Sequence, residues 1–183
     1  MADGGSYPNW KWYGESESLP SWVEPFIKVF SDARAEIDSD HVRGLKSDDV
    51  LALVQPGLSA LGYEVEKSKK KVDKVLRPVL WDEQGRPKVT YQVDAAHEGH
   101  GVVVEIEASR AILGNAFYRD LVRTSLIADA HYLVIGLAKT YKYKTSGKVS
   151  ISRDYEYGRD ELDALFASQR LQLPFKGVLL LGY

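Results

Sequence analysis

Residues 91–110 read YQVDAAHEGHGVVVEIEASR, and the fold turns on how this stretch pairs with itself. Side chains alternate across a strand. Val102, Val104 and Ile106 therefore share one face, and Val103, Glu105 and Glu107 share the other. Ahead of them, EGHG has the makings of a tight turn. With Gly99 and His100 as its central residues, Glu98 pairs with Gly101. Counting back then sets Asp94 opposite Glu105, with Cβ atoms expected about 4.5–5.5 Å apart. The hairpin thus predicts Asp94, Glu105 and Glu107 gathered at one end of a small sheet. A slip of one residue would turn Asp94 to the other face.

Three carboxylates at this range repel one another, and apolar neighbours strip their hydration. A divalent cation relieves both penalties. Oxygen-only ligands suit Mg²⁺ or Mn²⁺ better than zinc. Alternating glutamates on a strand ordinarily mark a solvated face. Against that stand the apolar neighbours on both sides of Glu105 and the alternation of VTYQV before Asp94.

Working outward, Ser21 and Glu24 have the spacing of a capping box, and Val23, Phe26, Ile27, Phe30 and Ile37 recur at helical intervals. A second helix is expected from Ser47, with Asp48 and Asp49 in its first turn and Val50, Leu51, Val54, Leu58 and Leu61 inward. Pro56 should kink or split it, and Gly62 should end it. Strands are expected at 63–66, 75–80 and 89–96, the last two flanking the turn DEQGRP, and then at 101–108. Asn115 can cap a helix running to about Ala128, with Phe117, Leu121, Val122 and Leu126 inward. HYLVIGLA, residues 131–138, reads as a buried strand. The basic aromatic segment YKYKTSGK leads to a short strand, a helix near 159–169 and a last apolar strand at 178–181. Residues 1–19, mixing Gly, Ser and Pro with Trp10, Trp12 and Tyr13, read as an N-terminal arm docked on a single domain of residues 20–183.

The middle of the chain is therefore an α/β unit: helix, three antiparallel-connected strands, crossover helix, further strand. With Asp94 and the pair Glu105–Ile106–Glu107, this order resembles the core of the PD-(D/E)XK nuclease superfamily, which includes many restriction endonucleases. Asp94 matches the first acid of that motif and Glu105 the second. Glu107 stands where Lys is usual, an ExE variant found in some restriction endonucleases. NAFYRDLVRTSLIADAHYLVIGL is similar to the helix and strand that follow the acidic pair in that branch. SDDVLALVQPGLSALGYEVEKSKKK is similar to the opening helix and first strand of bacterial proteins assigned to this superfamily. The resemblance spans residues 47–138. It implies a restriction-endonuclease-like core with extra N- and C-terminal elements, and Mg²⁺-dependent phosphodiester hydrolysis, with DNA the expected partner. Asp94 and Glu105 would hold the metal, and Glu107 would join them and orient or deprotonate the attacking water. Many members add a Glu from the opening helix; Asp48 and Asp49 stand there instead. A homodimer is the common way to cut both strands.

The chain of 183 residues has a net charge of −2, so a nucleic-acid partner must be met by local basic clusters. One comprises Lys67, Lys69, Lys70, Lys71 and Lys74. The other comprises Lys139, Lys142, Lys144 and Lys148, interleaved with Tyr141 and Tyr143, whose rings can stack on bases or pack a loop. Lys69, Lys70, Lys71, Lys139, Tyr141, Lys142 and Lys144 are the nucleic-acid candidates, with Arg110 placed to meet a scissile phosphate. Arg119, Asp120 and Arg123 read as an ion-pair network within one helix. His97 and His100 read as turn residues. There is no cysteine, which excludes disulfides, thiolate metal sites and cysteine nucleophiles. No apolar run nears the roughly 20 residues that span a membrane, and no signal-peptide pattern opens the chain; a cytoplasmic protein without a membrane partner is expected. A competing reading is a catalytically silent nuclease fold that binds nucleic acid or a protein, supported by Glu107 in the place of Lys.

Overall fold

The computed structural model describes residues 7–14, 18–109, 111–145 and 147–183. The main sheet has six strands in the order β1-β10-β7-β6-β5-β2. These are β1 (Asn9–Gly14), β2 (Glu64–Val65), β5 (Ala95–His97), β6 (Val102–Glu107), β7 (Tyr132–Leu137) and β10 (Gly177–Gly182). β6, β7 and β10 run parallel, while β1 and β5 pair antiparallel to their neighbours β10 and β6. Two separate ribbons complete the strands: β3 (Val75–Trp81) with β4 (Pro87–Val93), and β8 (Tyr141–Thr145) with β9 (Lys148–Ser152).

Helices cover both faces of the sheet. On one face, α1 (Val23–Asp32), α2 (Arg34–Ile37) and α3 (Ser47–Ala60) bury Phe26, Phe30, Ile37, Val54 and Leu58 against Val102, Val104 and Ile106. On the other, α4 (Ala116–Ser125) and α5 (Asp154–Ser168) bury Phe117, Leu121 and Leu162 against Val103, Leu133 and Ile135. Parallel strands covered on both faces read as continuous apolar runs, as YLVIGL and GVLLLG do. The crossover from β6 through α4 to β7 is the parallel connection expected from the sequence.

The helix expected from Ser21 begins instead at Val23, and its N-cap position, Trp22, carries no side-chain cap. α3 starts at Ser47 as expected, with Lys46 N donating to Asp49 Oδ2 at 3.0 Å. It runs unbroken through Pro56. The carbonyl that loses its partner belongs to Ala52, on the exposed face, where water can take the N–H's place. The segment expected to be an arm is, over residues 9–14, the edge strand β1, and Tyr13 is buried. The strand expected over 89–96 breaks at Asp94. Its first part stays in the β3–β4 ribbon and its last part joins the main sheet as β5. α4 stops at Ser125 rather than near Ala128. Among the described residues, no helix is long and apolar enough to cross a membrane.

Candidate active site

The hairpin between β5 and β6 sets the position of the acids. Gly101 N donates to Glu98 O at 3.0 Å, closing the turn, and Gly101 holds φ at +65°, the left-handed region that suits glycine. A Cβ there would stand 2.7 Å from the His131 ring, so close approach and backbone conformation both call for glycine. Beyond the turn, His97 pairs with Val102, Ala96 with Val103 and Ala95 with Val104. The same count places Asp94 opposite Glu105, at the bend where the chain leaves one sheet for the other. Ala95 and Val104 face the α3 side, and Ala96 and Val103 face the α4 side. Asp94, Glu105 and Glu107 accordingly fall on the α4 face.

There they line one pocket together with Ser47, Gln92, Arg119, Asp120 and Arg123. Asp94 Oδ2 accepts a hydrogen bond from Ile106 N at 2.7 Å, which fixes the aspartate across the hairpin. Glu107 is anchored through its backbone, its carbonyl accepting from the Tyr183 hydroxyl at 3.0 Å. Arg119 reaches from α4 to donate to Glu107 Oε1 at 2.8 Å and to Asp120 Oδ1 at 2.9 Å. Arg123 lies over the Tyr91 ring, 4.8 Å from its centroid. The Glu105 side chain makes no hydrogen bond or salt bridge among the described residues.

Four carboxyl groups thus share the pocket with two guanidinium groups, and the electrostatics follow. Burial pushes Asp94 up to about 7, against the pull of its bond from Ile106 N. Burial, then the negative charges of Asp94 and Asp120, holds Glu105 well above the usual carboxylate range. Glu107 is pushed up to about 7 by burial and by Asp120, with Arg119 opposing. Asp120 is raised by burial too, although it bonds Arg119 and shares a hydrogen bond with Glu107. Arg119 Nη2 donates to both Glu107 Oε1 and Asp120 Oδ2, at 2.8 and 3.3 Å, so the two acids titrate as neighbours.

Among the described residues, no three Asp, Glu or His side chains stand as a ready ligand set for a metal ion. Mg²⁺ does not require such a set. It is commonly held by one or two carboxylates, with waters and phosphate oxygens filling the remaining positions. The donors here are all oxygen, they are desolvated, and Glu105 lacks a hydrogen-bonded counter-charge, so their chemistry fits a hard cation. Asp94 and Glu105 are the pair that fits it best, because Arg119 already engages Glu107 and Asp120.

Asp120 is a site residue that periodicity passed over. Val122 and Leu126, expected inward, are 59% and 50% exposed, whereas Asp120 and Thr124 are 2% and 1% exposed. The inward face of α4 is Phe117, Asp120, Leu121 and Thr124, whose spacings of three and four residues keep one phase. That phase was visible in the sequence; choosing apolar residues alone hid it. The expected network of Arg119 and Asp120 is present, but it extends to Glu107 and so belongs to the site. Asp48 lies apart from these contacts, paired with Lys69 at 2.8 Å, while Ser47 at the start of α3 touches the pocket.

The basic candidates scatter. Lys139 is held by Asp38 and Asp40 at 2.9 and 2.8 Å, a half-buried structural pairing. Lys74 binds Glu66 at 2.6 Å. Lys70 and Lys71 project from the loop before β3, and Tyr141, Lys142 and Lys144 lie on β8. Arg110 lies outside the described residues. The His97 and His100 rings pack against each other at the turn, tilted by 34° with 4.3 Å between centroids, at the opposite end of the hairpin from Asp94.

No family model and no curated protein matches this sequence. Among solved structures, the restriction endonuclease BglII in complex with a DNA 16-mer is similar, with a TM-score of 0.54. The match has 13% identity and covers 96% of this chain and 77% of that one. The protein has a restriction-endonuclease-like fold.

Proposed function

We propose that this protein is a metal-dependent nuclease that hydrolyses phosphodiester bonds, with DNA as its substrate. The observation that carries this reading is the register of the hairpin: Asp94 lies opposite Glu105, both are half-buried and desolvated, and they share their pocket with the carboxyls of Glu107 and Asp120. The fold shared with a DNA-bound restriction endonuclease supports the choice of substrate. Asp94 and Glu105 would hold Mg²⁺ or Mn²⁺, which when bound would polarise the phosphate and lower the pKa of a bound water.

The remaining steps belong to the chain itself. Glu107, raised to about 7, has the proton affinity of a general base at neutral pH and is placed to accept a proton from the attacking water. Asp120 can share that proton. Arg119, 2.8 Å from Glu107, brings positive charge to the place where the superfamily motif has Lys, and can stabilise charge developing on the phosphate. The Ile106 amide keeps Asp94 in register.

A second reading is a silent nuclease fold that binds nucleic acid or a protein partner. It is favoured by the same Arg119, which closes on Glu107 and Asp120 as a counter-ion would, and by the absence of a ready three-ligand set among the described residues. One experiment separates the two: the purified protein is incubated with single- and double-stranded DNA and RNA in EDTA, Mg²⁺ or Mn²⁺. Metal-dependent cutting of DNA, lost in Asp94→Asn and Glu105→Gln, is the expected result. Salt-sensitive binding with no cutting under any metal would select the silent module.

A further inference from the structure

A second cavity, of about 280 Å³, opens beyond the carboxyl ends of the parallel strands. Its floor is Ala108, Ala138 and Tyr183, the residues that follow β6, β7 and β10. In open α/β sheets this edge is where ligands are received. The floor touches the acidic pocket directly, because the Tyr183 hydroxyl bonds the carbonyl of Glu107. One wall is the loop after α2, which includes Arg43; the other is β8.

The lining has a distinct chemistry. Tyr141 and Tyr143 alternate along β8 with rings inclined by only 14° and centroids 6.0 Å apart. Arg43, Lys142 and Lys144 also line it, and among the described residues they make no salt bridge. The one carboxylate in the described lining, Asp40, is bound by Lys139 at 2.8 Å and by the Thr140 hydroxyl at 2.6 Å. Flat aromatic faces beside uncompensated cations suit a ligand that is itself a planar ring joined to a phosphate. The volume lies at the lower end for small-ligand sites, roughly 300 Å³, and so suits one nucleotide rather than a base pair.

We infer that this cavity is a nucleotide subsite that takes one unpaired nucleotide of the substrate strand, its base against Tyr141 and Tyr143 and its phosphate among Arg43, Lys142 and Lys144. This rests on the nuclease reading and adds to it: the substrate is a strand with an unpaired base next to the acidic pocket. Stacking on an aromatic contributes about 1–3 kcal/mol per base, so loss of one tyrosine should weaken binding about tenfold.

The test uses the full chain in EDTA, where metal-dependent cutting is off. Fluorescence anisotropy compares a labelled single strand, a duplex with one unpaired nucleotide and the fully paired duplex, with a free nucleoside monophosphate as competitor. Tighter binding of the two unpaired substrates, weakened about tenfold by Tyr141→Ser and retained by Tyr141→Phe, is expected. Equal affinity for paired and unpaired DNA overturns the inference, as does an unaffected Tyr141→Ser. Competition by the free nucleotide at the same concentration as the strand would overturn the strand assignment, since neighbouring phosphates should add affinity. The same substrates are then given Mg²⁺ or Mn²⁺. Cleavage with no preference for unpaired substrates would sink this subsite and leave the nuclease reading intact. Selective binding in EDTA with no cleavage in either metal would do the reverse.

Discussion

The two faces of β6 carry the same backbone and opposite chemistry. Toward α1 and α3, Val102, Val104 and Ile106 pack into an unbroken apolar layer. Toward α4, Val103 begins in the same manner, and then Glu105 and Glu107 enter a pocket with Asp94 and Asp120. One face lowers the free energy of the folded state by removing hydrocarbon from water. The other raises it, since desolvated carboxylates keep their protons only at the expense of ionisation. A sheet can carry that penalty where its opposite face is fully packed. The end of β6 is therefore packed on one side by Ile106 and charged on the other by Glu105 and Glu107, which the proposed function assigns to the chemistry.

The largest effect should come from separating charge from shape on the acidic face. Glu105→Gln keeps the volume and removes the carboxylate. Metal-dependent cleavage should fall about 10³-fold, in line with the several kcal/mol that metal chemistry supplies. Stability should move the other way. At pH 8 the parent pays for ionising a group held well above the usual range, and Gln does not, so the variant's Tm should be equal or higher. A variant that loses Tm at pH 8 would show that Glu105 serves the fold. The apolar face should answer in the opposite sense. Ile106→Ala removes a side chain 2% exposed and should destabilise the protein by about 2–5 kcal/mol, read by urea unfolding. The two variants together test whether the faces divide stability from function.

Much of this division was legible in residues 91–110. The pleat gives alternation, and EGHG permits one sensible register, so Asp94 opposite Glu105 follows from local rules. What local rules could not supply was pairing between distant segments. NWKWYG reads as an arm because its partner, GVLLLG, lies at the far end of the sequence, and only that pairing makes it a strand. The break at Asp94 was hidden for a related reason. VTYQVDAA is a continuous strand by propensity, and its division between two sheets depends on which partners take each half. Asp120 was missed because its burial is set by the phase of Phe117, Leu121 and Thr124, and polar residues on an inward face contradict the hydrophobic pattern. Such contradictions are expected at functional or strained positions.

pH offers a milder perturbation of the same contrast. Asp94 and Glu107 rise from ordinary values of 3.8 and 4.5 to about 7. Between those limits the folded chain holds protons that the unfolded chain has released. The contribution of these groups to stability should therefore be greatest below about pH 4, decline between about pH 4 and 7, and level off above that, the reverse of a salt-bridged carboxylate. In EDTA the decline should be on the order of several kcal/mol, the partly exposed Glu107 giving the smaller share, and should be read as a fall in Tm. Saturating Mn²⁺ or Mg²⁺ should restore part of it above pH 7, where the carboxylates are free to bind, and little at pH 5, where protons compete. A melting curve independent of both pH and metal would mean that these carboxyls are compensated in some other way.

The smallest effect isolates Arg119, the link between helix and sheet on the acidic face. Its guanidinium lowers the proton affinity of both Glu107 and Asp120. Arg119→Met keeps most of the aliphatic stem and removes the charge, so both acids should hold their protons to higher pH. The acidic limb of the pH–rate profile should move up by about one pH unit, and the stability loss above pH 7 should grow by about 1 kcal/mol. A silent fold offers no rate profile, but the stability term survives, since it depends on burial and charge alone. If the acidic limb instead moves down, Glu107 is not the group that sets it, and the base must be sought in another carboxylate of the pocket, with Asp120 the first to examine because Arg119 bonds it too.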